Sequence, residues 1–240
     1  MAEPAHAASL VPRKSKIQAR DSGDLLIFDP VSPGTFLPSE QKLIRSLNTP
    51  RKVQRWLRSL PYNREIGGET LRSFRQVLRH NTVHCLEAAL AAAVILEQHG
   101  YPPLLLSFES IDRLDHVIFV FRKNGRWGSV ARSRDEGLHG RRPIFRTARD
   151  LALSYFDPYV DLTGRITAYA VVNLNWVGQY NWRSSGRNVW KVEKYLLDYP
   201  HKAIRSSDTR YQRLLKRYRE FRERYPDRPA VYYPNRHLWW

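Results

Sequence analysis

The stretch His84–Gly100, HCLEAALAAAVILEQHG, decides the fold. Its apolar residues, Leu86, Leu90, Ala93, Val94 and Leu96, cover most of a helix circumference, and Gly100 supplies a C-terminal stop. A helix apolar on all sides has to be central and covered on all sides. Its first residue is Cys85, the only cysteine among the 240 residues. At a helix N-terminus, unpaired backbone N–H groups and the positive end of the dipole favour a thiolate over a thiol.

Downstream, Pro102 and Pro103 lead into LLLSF, read as a strand, and DHVIFVFRKNGRWGSVA reads as a hairpin. Asn124–Gly125 there is the preferred pair for a two-residue type I′ turn. His116 interrupts the first strand of that hairpin. A thiol needs a neighbouring imidazole as ion-pair partner and proton shuttle, and a histidine on the strand under the cysteine's helix provides one. With Asn124–Gly125 as the loop, Lys123 pairs with Arg126 and the ladder runs back to place His116 opposite Ser133. Residues directly opposite have Cβ atoms about 5 Å apart and diagonal ones about 7–8 Å apart. Ala131 and Asp135 are then the diagonal neighbours, leaving Ser133 and Asp135 to orient the imidazole.

Upstream, Ser39 is positioned to cap a helix carrying Leu43, Ile44 and Leu47. Thr49 before Pro50 opens a second helix carrying Val53, Trp56, Leu57 and Leu60. After Gly67–Gly68, a third short helix with Leu71, Phe74 and Leu78 ends near His80. Past the hairpin come a helix around Ala148–Phe156, opened by Thr147 with Asp150 three residues on, and a strand over Ala168–Leu174. Two further helices follow, near Asn188–Leu197 and Thr209–Tyr225. The latter carries an apolar stripe of Tyr211, Leu214, Leu215, Tyr218 and Phe221 against a basic remainder. The organisation is a disordered basic arm over 1–23, a core over 24–184 and a basic helical extension over 185–240.

This order resembles the transglutaminase-like superfamily of papain-type thiol enzymes, over roughly residues 67–175. Its marks are a Cys opening an Ala-rich helix, an intervening strand, Asp-His starting the next strand, and a Trp on the one after (GRWGSVA). The resemblance implies an α+β fold, with the central apolar helix packed on a small antiparallel sheet and helices flanking it. It implies Cys85 as nucleophile, His116 as base and a third residue on the strand after His116. After the Trp this chain reads WGSVARSRDEG, so Asp135 is the nearest carboxylate and Ser133 the nearest hydroxyl. The chemistry implied is attack on an amide or peptide carbonyl through a thioester, resolved by water or by an amine.

The Cys85 backbone N–H supplies one oxyanion donor, and Asn81 in the preceding loop is a candidate for the second, against its alternative as a helix cap. His84 is expected to point away from the thiol. His80 and His84 with Cys85 or Asp115 make a weak metal pattern without an HExxH glutamate, so no metal and no cofactor is assigned. One cysteine excludes an intramolecular disulfide and favours a reducing compartment, hence the cytoplasm. No 18-residue uncharged apolar stretch is present, which excludes a membrane-spanning helix. The net charge of +17 and pI near 10.3 attract anionic partners. The rival to a thiol enzyme is therefore a non-catalytic module gripping nucleic acid or another anionic partner through its basic C-terminal helices, with Tyr232, Tyr233, Trp239 and Trp240 exposed beside them.

Overall fold

The computed structural model of the chain describes residues 24–111, 116–160, 164–228, 230 and 232–240. The arm expected over 1–23 and Asp115 lie outside these. The architecture is α+β. A five-stranded antiparallel sheet runs in the order β3-β2-β1-β4-β5, from β1 (Leu104–Ser110), β2 (His116–Lys123), β3 (Arg126–Val130), β4 (Ile166–Asn173) and β5 (Lys202–Ala203).

Each strand alternates between two buried layers because successive side chains point to opposite faces. Leu105, Val117, Phe119, Phe121 and Val172 enter one core with the helices α1 (Pro38–Ser46), α2 (Pro50–Ser59), α3 (Phe74–His80) and α4 (Cys85–Glu97). Leu104, Leu106, Phe108, Ile118 and Val120 enter the other, with α5 (Ala148–Leu153) and α6 (Phe156–Tyr159). The sheet is thus covered on both sides. The last helices, α7 (Trp190–Asp198) and α8 (Asp208–Arg224), feed these same layers, Val192 and Leu196 into the first and Leu215 into the second.

The apolar circumference of α4 is satisfied by β2 and β1 on one side and by α2 and α3 on the other. Leu90, Val94, Ile95 and Leu96 are fully buried, each stabilising the fold by about 1.5–3 kcal/mol. Both carboxylates of α4 are buried as well. Glu97, at the end where the dipole disfavours an anion, is held by Arg183 through two bonds of 2.6 and 2.7 Å.

Several local readings need adjustment. The cap of α1 is not Ser39: the helix begins at Pro38, and Glu40 reaches back to the Leu37 N–H at 2.8 Å. The helix expected through Phe156 is broken after Leu153 into α5 and α6. Thr49 and Thr147 do cap their helices through Lys52 N and Asp150 N. Among the described residues, no helix is long and apolar enough to cross a membrane.

Asn124 and Gly125 both have positive φ (50° and 73°), the type I′ geometry, and Lys123 pairs with Arg126. The register expected from that pair does not continue to His116. The β2–β3 ladder ends at Phe119↔Val130, because Gln54 of α2 takes over the next residue: its Nε2 donates to the Ala131 carbonyl and its Oε1 accepts the Ala131 N–H, both at 2.9 Å. This side chain imitates a strand edge and peels the chain away from β2. His116 pairs instead with Phe108 on β1, and Ser133 never stands opposite it.

Candidate active site

Cys85 opens α4 and is only partly buried, while His84 is the N-cap residue before it. The cap is reciprocal: His84 Nδ1 lies 3.3 Å from Leu86 N, and the Glu87 carboxylate accepts the His84 N–H at 3.1 Å. Glu87 also accepts from Thr70 Oγ1 at 2.9 Å, Arg72 N at 3.0 Å and Asn63 Nδ2 at 3.3 Å. One buried carboxylate therefore ties the 63–72 loop to the mouth of α4. His84 Nε2 donates to the Thr70 carbonyl at 2.9 Å and sits 3.5 Å from Glu87.

His116, buried at the start of β2, lies parallel to Phe108 with centroids 6.1 Å apart and is flanked by Tyr155 at 6.2 Å. Its Nε2 donates to the Leu138 carbonyl at 3.2 Å, a group that can only accept. That assigns the proton to Nε2 and leaves Nδ1 as the ring's acceptor. Cys85, His116 and His84 line the same cavity, and both rings stand close enough to the thiol to lower its pKa, so the structure brings together the thiol and the strand histidine and adds a second imidazole. The expectation that His84 points away is overturned.

Burial acts against a Cys85 thiolate, but the hydrogen bonds and charges of His116 and His84 outweigh it and hold the thiol down to about 5. Burial likewise acts against an imidazolium at His84. The thiolate, Glu87 and the Thr70 carbonyl more than offset this and raise His84 to about 9. The Leu86 N–H contact pulls the other way, since a doubly protonated ring has no lone pair to accept it. At 3.3 Å that bond is at the long, weak end of its range, whereas three negative or accepting groups face the ring. The balance of these contacts favours the charged form of His84 beside a thiol whose ionisation is pulled down.

Cys85, His84 and His116 face one cavity of about 1050 Å³. Tyr62 lines it beside the thiol, its hydroxyl pushed up by burial and by the Cys85 charge. Tyr218, Arg222 and Tyr233 bring the C-terminal segment to the same cavity. Its lining carries six arginines and six carboxylates, so the strong positive charge of the whole chain is not focused on the thiol.

Ser133 and Asp135 line this cavity but take other partners. Ser133 Oγ accepts the Asp135 N–H at 3.3 Å, and the Asp135 carboxylate pairs with Arg134 at 3.0 Å. The ring they were expected to orient is bonded to a main-chain oxygen instead. Asn81 is the C-cap of α3, exposed and left-handed (φ 53°), and does not line the cavity, so it supplies no oxyanion donor there. His80 closes α3 whereas His84 caps α4, so the i, i+4 pattern does not place them on one helix face. Among the described residues no group of three or more His, Cys, Asp or Glu is arranged to hold a metal ion.

The aromatic residues expected to be exposed at the C-terminus are drawn inward. Tyr233 is buried, and Trp240 stacks near Phe121 and donates its Nε1 to the Ser129 carbonyl at 2.8 Å. Along α8, Arg217 lies over Tyr232 and Arg222 over Tyr218, which occupies part of the basic face within the molecule.

Sequence reasoning missed His84 as a partner of the thiol and Glu87 as its support. A signal was present: Glu87 lies three residues after His84, the spacing of a capping box, and a capping residue stays at the helix mouth with its neighbour. No protein-family model matches the chain, and no curated protein matches it.

Proposed function

We propose that this chain is a papain-like or transglutaminase-like thiol enzyme that cleaves or transfers amides. The observation that carries the reading is Cys85 at the mouth of a buried helix, sharing one cavity with two imidazoles that lower its pKa. A cysteine serving only as a core residue has no use for two imidazoles or for a cavity able to hold a reactant.

In this reading Cys85 Sγ, its proton passed to His116, adds to the carbonyl carbon of a carboxamide or peptide. The oxyanion that forms is met by the Cys85 N–H, which as the first of the helix has no carbonyl within it to serve. Collapse expels the amine with the proton from His116 and leaves a thioester. Water or a second amine then attacks, passes its proton to His116 and releases the acyl group and the Cys85 thiolate. His84 is the fixed cation of this scheme, being tied to Thr70 and Glu87. The even balance of charge in the cavity fits a substrate recognised by its backbone and amide rather than by net charge.

An activated ester such as p-nitrophenyl acetate tests this directly. A burst of phenolate with acetyl-Cys85 on the protein, followed by slower turnover, is expected. His116→Ala should slow turnover strongly, and Cys85→Ala should abolish the burst. A burst that survives Cys85→Ala, or none from the unaltered protein, removes the proposal.

A further inference from the structure

Arg141 is fully buried and, among the described residues, has no carboxylate partner within ion-pair range. Its charge is met by oxygens and rings instead. Nη1 donates to the His139 carbonyl at 2.7 Å, and Nη2 to the Gly137 carbonyl at 2.6 Å and the Ser154 carbonyl at 3.4 Å. The guanidinium lies 4.1 Å from the Tyr155 ring centroid and 5.0 Å from that of Trp239. Burying a cation this way is costly unless its donors are used, and a planar fork is the side chain that can address two oxygens at once.

The two carbonyls gripped most tightly belong to the residues on either side of Leu138. The carbonyl between them turns the other way and accepts His116 Nε2. The segment is fixed from further directions: Tyr155 Oη donates to the His139 carbonyl at 3.0 Å, and Ser129 Oγ accepts the Arg141 N–H at 2.8 Å. Tyr155 is shared, since its ring touches both His116 and Arg141. Gly137 leaves no room for a side chain, because a Cβ there would come within 2.9 Å of Pro158.

We propose that Arg141 is a positioning residue: by holding the Gly137 and His139 carbonyls it aims the Leu138 carbonyl at His116, so that a main-chain oxygen occupies the place a triad carboxylate would take. The inference rests on the thiol–imidazole reading above and says what completes it. A carbonyl fixes the tautomer and the ring plane as a carboxylate does, but lends no full negative charge to an imidazolium. Orientation then depends on how firmly the peptide is held, which is the task given to Arg141.

The test is the pH profile of Cys85 alkylation by iodoacetamide, read beside the His116 ring resonances in the full chain. The unaltered protein should show a midpoint near the thiolate value and a slowly exchanging Nε2 proton on His116. Arg141→Lys keeps the charge but cannot hold two oxygens in one plane. It should speed exchange of that proton and raise the midpoint by about one unit. Asp135→Asn and Ser133→Ala should move neither reading. Arg141→Lys that lowers thermal stability while leaving both readings in place would make Arg141 merely structural and overturn the inference. A midpoint that follows Asp135→Asn would return the role to the carboxylate and overturn it too. If Arg141→Lys does not fold, exchange of the Nε2 proton in the unaltered protein decides: protection supports the carbonyl bond, and rapid exchange refutes it. A Cys85 that is sluggish in the unaltered protein would fail the thiol–imidazole reading itself, an outcome distinct from all of these.

Discussion

Replacing His84 with Asn separates the two imidazoles that hold the thiol. Asn is among the best N-cap residues, so α4 keeps its cap while the second imidazole disappears. The thiol is held down from its ordinary 9.0 to about 5. That shift corresponds to about 5 kcal/mol of preference for the thiolate. His116 and His84 both contribute hydrogen bonds and charge to it, so removing one should return about half, moving the midpoint up by about two pH units. At pH 6 the thiolate fraction would fall from about nine-tenths to about one-tenth. A more basic thiolate is also a better nucleophile, by about eightfold for two units at a Brønsted slope near 0.45. The two effects nearly cancel at pH 6, so a single-pH rate would look unchanged. The whole profile distinguishes them: the His84→Asn curve should run below the unaltered protein at pH 5 and above it at pH 9, crossing between. Iodoacetamide kinetics across that range, with the thiolate absorbance as an independent titration, provide the measurement. A midpoint that stays near 5, or curves that never cross, would refute the assignment of His84 as a cationic partner.

Protein stability should carry the same signature. Between pH 5 and 6.5 the folded chain holds a thiolate while the unfolded chain holds a thiol, and His84 is protonated in both. The unfolded state binds more protons there, so stability rises with pH at about 1.4 kcal/mol per unit from this group. Above 6.5 the unfolded His84 loses its proton and the slope cancels; denaturant titrations of Cys85→Ala should lack the rise below that point. Gly140→Ala should destabilise by about 3 kcal/mol in the same assay, because a Cβ there would meet Gln54 Oε1 at 2.1 Å and the Ser129 carbonyl at 2.5 Å. Gln54→Leu strands the Ala131 N–H and carbonyl in the interior, and a loss of about 2–5 kcal/mol in denaturant stability is expected; an unchanged midpoint would mean that the ladder ends for another reason.

The parts of this fold that could be read from sequence are those whose causes are local. Thr49 before Pro50, Thr147 before Asp150, and Asn124–Gly125 each place donor and acceptor within a few residues, and each forms as its spacing requires. The apolar circumference of α4 implied burial on all sides without saying by what. The register from the hairpin back to His116 failed for a non-local reason, since Gln54, 77 residues before Ala131, ends the ladder. No pattern within the hairpin could report that.

The partner of His116 was hidden for a deeper reason. A carboxylate has a letter in the sequence, but every residue has a carbonyl, and which one is presented to a ring depends on how its peptide is held. Here the visible trace is Arg141, buried with no carboxylate among the described residues in ion-pair range, whose two closest acceptors bracket the carbonyl that His116 meets. A search for the missing acid in WGSVARSRDEG settles on Asp135, which is spent on Arg134. On the proposed reading, a buried arginine bound to alternate carbonyls stands in for the missing acid by holding the carbonyl between them, and the sequence offers only the arginine.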